Sequence, residues 1–248
     1  MKKILIIGSN GQLGSELLTV LREKYGSKNV ISSDMNFPPN KDAFFEKIDS
    51  RKLSNLISIV EKYEIKHIYH LAAILSANGE LNPISSWEMN MKTLLNVLEL
   101  GRKGIIERIF WPSSIAVFGR DAPKEHTDQN AITNPSTVYG ISKLAGEKWC
   151  QYYFEKFGVD VRSIRYPGLI SHKVQPGGGT TDYAMDIFLK AVSGKSCDCF
   201  LHKDTTLPMM YIDDAIKETL MLMEAPSQKL SIRSSYNLNA TSFSPTEL

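Results

Sequence analysis

Residues 3–14, KILIIGSNGQLG, run an apolar strand pattern directly into a turn that carries three glycines, Gly8, Gly11 and Gly14. A helical apolar period follows over 13–25. Few folds accept that order: the strand must be buried, the chain must turn sharply, and the helix must then lie close against the strand it has just left. Further short apolar runs, NVISSD, HIYHLAA, RIFWPSS and VDVRSIRYPG, alternate with helical stretches such as 53–62. The middle runs are almost continuously apolar, as strands covered on both faces must be. The pattern predicts an α/β protein built on a doubly wound parallel sheet, a Rossmann fold.

Composition narrows the class of partner. With 248 residues and 42% hydrophobic content, the chain can bury a full domain core. Its 29 basic and 27 acidic side chains form no run of like charge, which argues against nucleic acid and against a polybasic membrane surface. No stretch reaches the length of a membrane span, so a soluble, cytoplasmic protein with a small-molecule partner is expected. Cys150, Cys197 and Cys199 lack the ligand pairs of a zinc site, and they read as reduced structural thiols with no metal bound.

The glycine turn gains meaning from Asp34, which ends the second strand 20 residues beyond Gly14. Glycines there let backbone N–H groups approach a pyrophosphate, and a carboxylate at that distance accepts ribose hydroxyls. The same carboxylate repels a ribose phosphate, and neither Met35 nor Asn36 supplies a compensating cation; the spacing therefore selects NAD over NADP. Asp49 is placed to face the adenine amine, with an exposed loop acid as its plain alternative.

A second constellation lies in STVYGISKLAGE, on a helix expected over 138–157. One helical turn separates Tyr139 from Lys143, so they share a face. A phenol titrates near pH ~10, and bringing it to neutrality costs about 4 kcal/mol. An ammonium ~4 Å away in a medium of dielectric ~20 supplies an interaction of that size, so Lys143 is expected to lower the Tyr139 pKa. Ser113 and Ser114 close the strand RIFWPSS at the carboxyl edge of the sheet, where doubly wound folds bind ligands. A serine there can hold a substrate hydroxyl while the tyrosine takes its proton.

Together the glycine trio, SSIAVFG and YGISK resemble the extended short-chain dehydrogenase/reductase family. The resemblance implies Ser114, five positions before Gly119, as the catalytic serine, Tyr139 as general base and Lys143 as the residue that tunes it and holds the ribose. It also implies cofactor contacts from Asn10, Gln12 and Leu13, from Leu71, Ala72 and Ala73 of the HLAA element, and from Tyr166 and Pro167 of RYPG, with Asn90 in support.

Within that family, Ile115 and Ala116 stand where sugar-nucleotide dehydratases carry an Asp-Glu pair, and Pro167 and Gly168 where epimerases usually show an asparagine. RYPGLISHKVQPGGGTTDYAMDIF and LPMMYIDDA instead resemble the short-chain type of L-threonine 3-dehydrogenase, which implies L-threonine as substrate and Ser76, Gly168, Thr180 and Thr181 around it. Helix capping is the alternative role for the two threonines. A sugar-nucleotide epimerase or dehydrogenase, or a non-catalytic NAD-sensing regulator, are the competing readings.

The organisation expected is an NAD-binding region over 1–165 and a mainly substrate-binding region over 166–248, interleaved with the sheet. Asn82 is expected to cap a helix opened by Pro83 and ended near Gly101. The apolar faces of that helix and of the Tyr139 helix agree with the homodimer, joined as a four-helix bundle, that the resemblance implies. SFSPTEL carries a capping box, Ser244 to Glu247, that announces a further helix, and a chain truncated at this end is expected.

Overall fold

The computed structural model describes residues 2–172 and 179–248. Pro176, Gly177 and Gly178 of the PGGGTTDYA stretch lie outside the described residues. In chain order the elements are β1 (Lys3–Ile7), α1 (Gln12–Tyr25), β2 (Val30–Asp34), β3 (Phe45–Lys47), α2 (Leu53–Tyr63), β4 (Ile65–His70), α3 (Ser76–Leu81) and α4 (Pro83–Arg102). They continue with β5 (Arg108–Ser114), α5 (Val138–Phe157), β6 (Val161–Tyr166), β7 (Gly168–Ile170), α6 (Tyr183–Val192), β8 (Leu207–Tyr211), α7 (Ile212–Glu224), β9 (Tyr236–Asn237) and β10 (Thr241–Phe243).

Seven strands form one sheet in the order β3-β2-β1-β4-β5-β6-β9, and every neighbouring pair is parallel. This is the doubly wound α/β fold that the alternation of strands and helices predicts. Successive side chains of a strand point to opposite faces, and β1 shows the consequence. Ile4 and Ile6 enter the layer shared with α1 and α7, while Leu5 and Ile7 enter the layer shared with α2, α4 and α5. Burial on both sides is why these strands read as continuous apolar runs.

Strand order reverses between β1 and β4, and a ligand crevice opens outside the carboxyl ends of strands at such a point. A second, three-stranded sheet, β10-β8-β7, stands beside it with a small core of Tyr183, Ala184 and Met209. Strand β9 carries the chain back from this region to the edge of the large sheet.

One capping expectation is corrected and one is met. Asn82 precedes α4, but its side chain makes no cap hydrogen bond; its backbone is occupied in closing α3, with its N–H on Gly79 O. At the other end the capping box does form, with Ser244 N–H and Oγ both donating to Glu247 Oε2 at 2.8 and 2.9 Å. It closes a turn over the last residues described.

The helix carrying Tyr139 packs on β5 through Gly146, where an added Cβ would stand 2.3 Å from the Trp111 ring. Gly146→Ala gains roughly 1 kcal/mol of helix propensity and loses about 1–3 kcal/mol to overpacking. The variant is expected to unfold at a lower urea concentration with an unchanged m-value.

Candidate active site

Tyr139 owes its position to the residues on either side of it. Thr137 caps α5 by accepting the Gly140 N–H at 3.0 Å. A Cβ on Gly140 would come within 2.2 Å of the Ala116 carbonyl oxygen, so the start of α5 rests directly on the 3-10 turn Ile115–Val117. Ser114 caps that same turn, its Oγ accepting the Ala116 N–H at 3.1 Å, and it lines the same cleft as Tyr139. One turn further along α5, Lys143 Nζ donates to Pro112 O at 2.6 Å, lies 4.6 Å from the Trp111 ring centroid and 5.4 Å from that of Tyr139.

The electrostatics differ from the sequence expectation. Burial pushes the Tyr139 phenol up to about 12, with the Ser114 hydroxyl opposing it. Burial likewise holds Lys143 down at about 7, against the pull of Cys150 and Glu147. The expected lowering of the phenol by Lys143 is therefore corrected for the site as it stands. Spacing counts the attraction between the two groups, whereas their shared desolvation disfavours both charged forms. A second buried base, His70 at the end of β4, is lowered to about 3 by burial and by Lys143, and its Nε2 lies 3.1 Å from Thr93 Oγ1.

A cleft of about 460 Å³ joins these groups to the glycine turn. Gly8, Gly11, Gln12, Leu13, Gly14, Leu71 and Ala73 line it. Ser76, Ser114, Tyr139, Lys143, Tyr166, Pro167, Gly168, Thr180 and Thr181 line it too. The Tyr166 hydroxyl is turned away onto Thr219 in the α7 layer.

Five expected contacts stand outside the cleft lining, Asp34 and the four that follow. Ala72 donates its N–H to Ile7 O. Asn90 clamps the Ile74 backbone, accepting its N–H at 2.8 Å and donating to its carbonyl at 3.1 Å. Asp49 is paired with Arg51 at 2.8 Å. Asn10 sends its backbone N–H to Asp34 Oδ2 at 3.2 Å and its side chain to Asn36 O at 2.7 Å.

Sequence reading missed Thr137, Leu75, Phe118, Ser136, Asp182 and Leu207, which also line the cleft. Only Thr137 carried a local signal, a threonine immediately before a helical run. Thr181 makes no comparable cap on α6, which has no side-chain cap hydrogen bond among the described residues.

The glycine turn fits a dinucleotide. Gly8 has φ of +89°, and a Cβ there would stand 2.7 Å from Ala72 N; one on Gly14 would stand 2.2 Å from Gly8 O. No side chain caps the first turn of α1, and the buried Ser9 hydroxyl has no partner among the described residues. Backbone donors at such a helix start suit a pyrophosphate. Asp34, at the end of β2, is held by N–H groups of Asn10 and Asn36 and makes no ion pair among the described residues.

The buried ammonium generates a prediction. Lys143 titrates at about 7 in the fold against 10.5 in the unfolded chain. The unfolded state binds more protons between those values, so the cost of burying the charge is full below about pH 7 and fades as pH rises towards 10.5. Lys143→Met removes that cost: Tm at pH 7 should rise, by roughly 2–4 °C per kcal/mol recovered, and the gain over wild type should shrink in melts at higher pH.

Residues 4–238 match the NAD dependent epimerase/dehydratase family. An uncharacterized epimerase/dehydratase of Staphylococcus haemolyticus is 47% identical over 252 residues, covering 100% of this chain and 79% of the relative. Among solved structures, a partial consensus L-threonine 3-dehydrogenase superposes with a TM-score of 0.95 at 55% identity, covering 99% of this chain and 79% of that one. The holo form of a GalE-like L-threonine dehydrogenase from Cupriavidus necator gives 0.95 at 54% identity, covering 99% and 80%. With the glycine cradle, Asp34 and the sheet reversal already in place, the match over nearly the whole chain makes this protein an NAD-binding member of the NAD dependent epimerase/dehydratase family.

Proposed function

We propose that the protein oxidises L-threonine at C3 to L-2-amino-3-oxobutanoate, reducing NAD to NADH. One observation carries the reading: the hydroxyls of Ser76, Thr180 and Thr181 line the same cleft as Ser114, Tyr139 and Lys143. Hydroxyl donors suit the carboxylate of a free amino acid. Leu75, Phe118 and Leu207, which line the same cleft, suit a methyl group.

In this scheme Ser114 holds the C3 hydroxyl, and Tyr139 removes its proton. Lys143, whose Nζ lies 5.4 Å from the Tyr139 ring centroid, would hold the ribose of the dinucleotide. NAD supplies the hydride acceptor and a further positive charge when bound. Residues 8–14 and Asp34 would hold its pyrophosphate and ribose. Residues 166–248 would form most of the substrate side of the cleft. The neighbours named for L-threonine oxidation, at 54–55% identity, support the choice of substrate.

The apolar faces of α4 and α5 support a homodimer formed as a four-helix bundle, since Ile84, Trp87, Ile141, Trp149 and Tyr152 are exposed there. No helix among the described residues is long and apolar enough to cross a membrane, and a cytoplasmic location fits this reading.

NADH formation should appear with L-threonine and be weak with L-allo-threonine, L-serine and UDP- or dTDP-sugars; reduction driven by a sugar nucleotide in preference to L-threonine overturns the assignment. Tyr139→Phe should lose at least ~10²-fold in kcat while NADH binding, followed by fluorescence, stays within about threefold. Sedimentation should give twice the 27.8 kDa chain mass, and Trp149→Arg should shift it to the monomer.

A further inference from the structure

Glu147 stands one turn beyond Lys143 on α5 and is only 1% exposed. Its Oε1 accepts from Ser113 Oγ at 2.6 Å and from Arg165 Nε at 2.8 Å, and its Oε2 accepts from Arg165 Nη2 at 2.7 Å. Arg165 reaches further: Nη1 donates to Gln129 O and to Asn237 Oδ1, both at 3.1 Å, and the guanidinium lies 5.2 Å from the Phe118 ring centroid. Ser113 precedes Ser114, and Arg165 precedes Tyr166, Pro167 and Gly168 in the cleft wall. One carboxylate thus joins the helix of Tyr139 and Lys143 to the ends of both strands that face them.

Stability alone does not account for the pair. Two buried charges lose their hydration, and apolar groups of similar volume would fill the same space at no greater cost. A bidentate guanidinium–carboxylate pair adds direction, because its two parallel hydrogen bonds fix both distance and angle. That property matters where reacting groups must be held to within a fraction of an ångström.

We propose that Glu147 is a positioning residue: held by Arg165 and Ser113, it sets the separation between Tyr139 on α5 and Ser114 at the end of β5. The inference deepens the dehydrogenase reading and rests on it for the kinetic part. The same carboxylate also pulls the Lys143 pKa upward against burial.

The test uses Glu147→Gln and the double variant Glu147→Leu/Arg165→Met, with kcat, KM and Tm measured on the full chain and crystal structures of wild type and double variant. Glu147→Gln should lose on the order of 10²-fold in kcat, with KM within about threefold. The double variant should regain a Tm near wild type, since no lone charge remains buried, yet keep the low kcat and show a changed Ser114–Tyr139 separation. Recovery of kcat together with Tm, or an unchanged Ser114–Tyr139 separation, makes the pair merely structural and overturns the proposal. Should the double variant fail to fold, Glu147→Gln decides: a kcat within about threefold of wild type refutes it, and a loss of tenfold or more with unchanged KM supports it. If wild type does not oxidise L-threonine, the substrate reading falls by itself, and the Ser114–Tyr139 separation in the crystals still judges Glu147.

Discussion

The start of α5 presses on the turn that ends β5 so closely that residue 140 has room for hydrogen alone. That approach brings a helical tyrosine to a strand-end serine although 25 positions separate Tyr139 from Ser114 in the chain. Two caps keep it in register, Thr137 on α5 and Ser114 on the 3-10 turn. Gly146 repeats the close approach further along, against Trp111, and Lys143 rests between the two contacts on the Pro112 carbonyl. Everything chemical in the cleft is referenced to this helix–strand contact.

Burial gives the site its character and also its tension. The phenol and the ammonium are both desolvated, which raises one pKa and lowers the other, so each charged form is disfavoured in isolation. A pair in that condition responds strongly to any further charge, because a low-dielectric surrounding magnifies it. The neighbouring carboxylate of Glu147 is itself neutralised by Arg165 and aligned by Ser113. Stability and chemistry are therefore coupled through the same few buried polar groups.

Much of the architecture was legible along the chain. Strands 108–114 and helix 138–157 appear with the expected bounds, because long periodic or apolar runs with clear punctuation carry their own signal. β6 is the instructive case: VRSIRY is buried at every position although it contains Arg162 and Arg165. No periodicity rule foresees that. Arg162 Nη1 donates to three carbonyls at the end of α7, from Leu222, Met223 and Ala225, and Arg165 meets Glu147. Both partners come from elements remote in sequence.

What the sequence determined alone was local: the glycine cradle, the carboxylate at the end of β2, the one-turn spacing of Tyr139 and Lys143, and the alternation that makes a parallel sheet. Backbone conformation and helical periodicity are set over a few residues, so a few residues disclose them. Tertiary structure decided which groups face the cleft, turning the Tyr166 hydroxyl and Asn90 away and bringing in Thr137 and Phe118. It also decided the acidity of Tyr139, since desolvation depends on every atom packed around a group and leaves no mark on spacing.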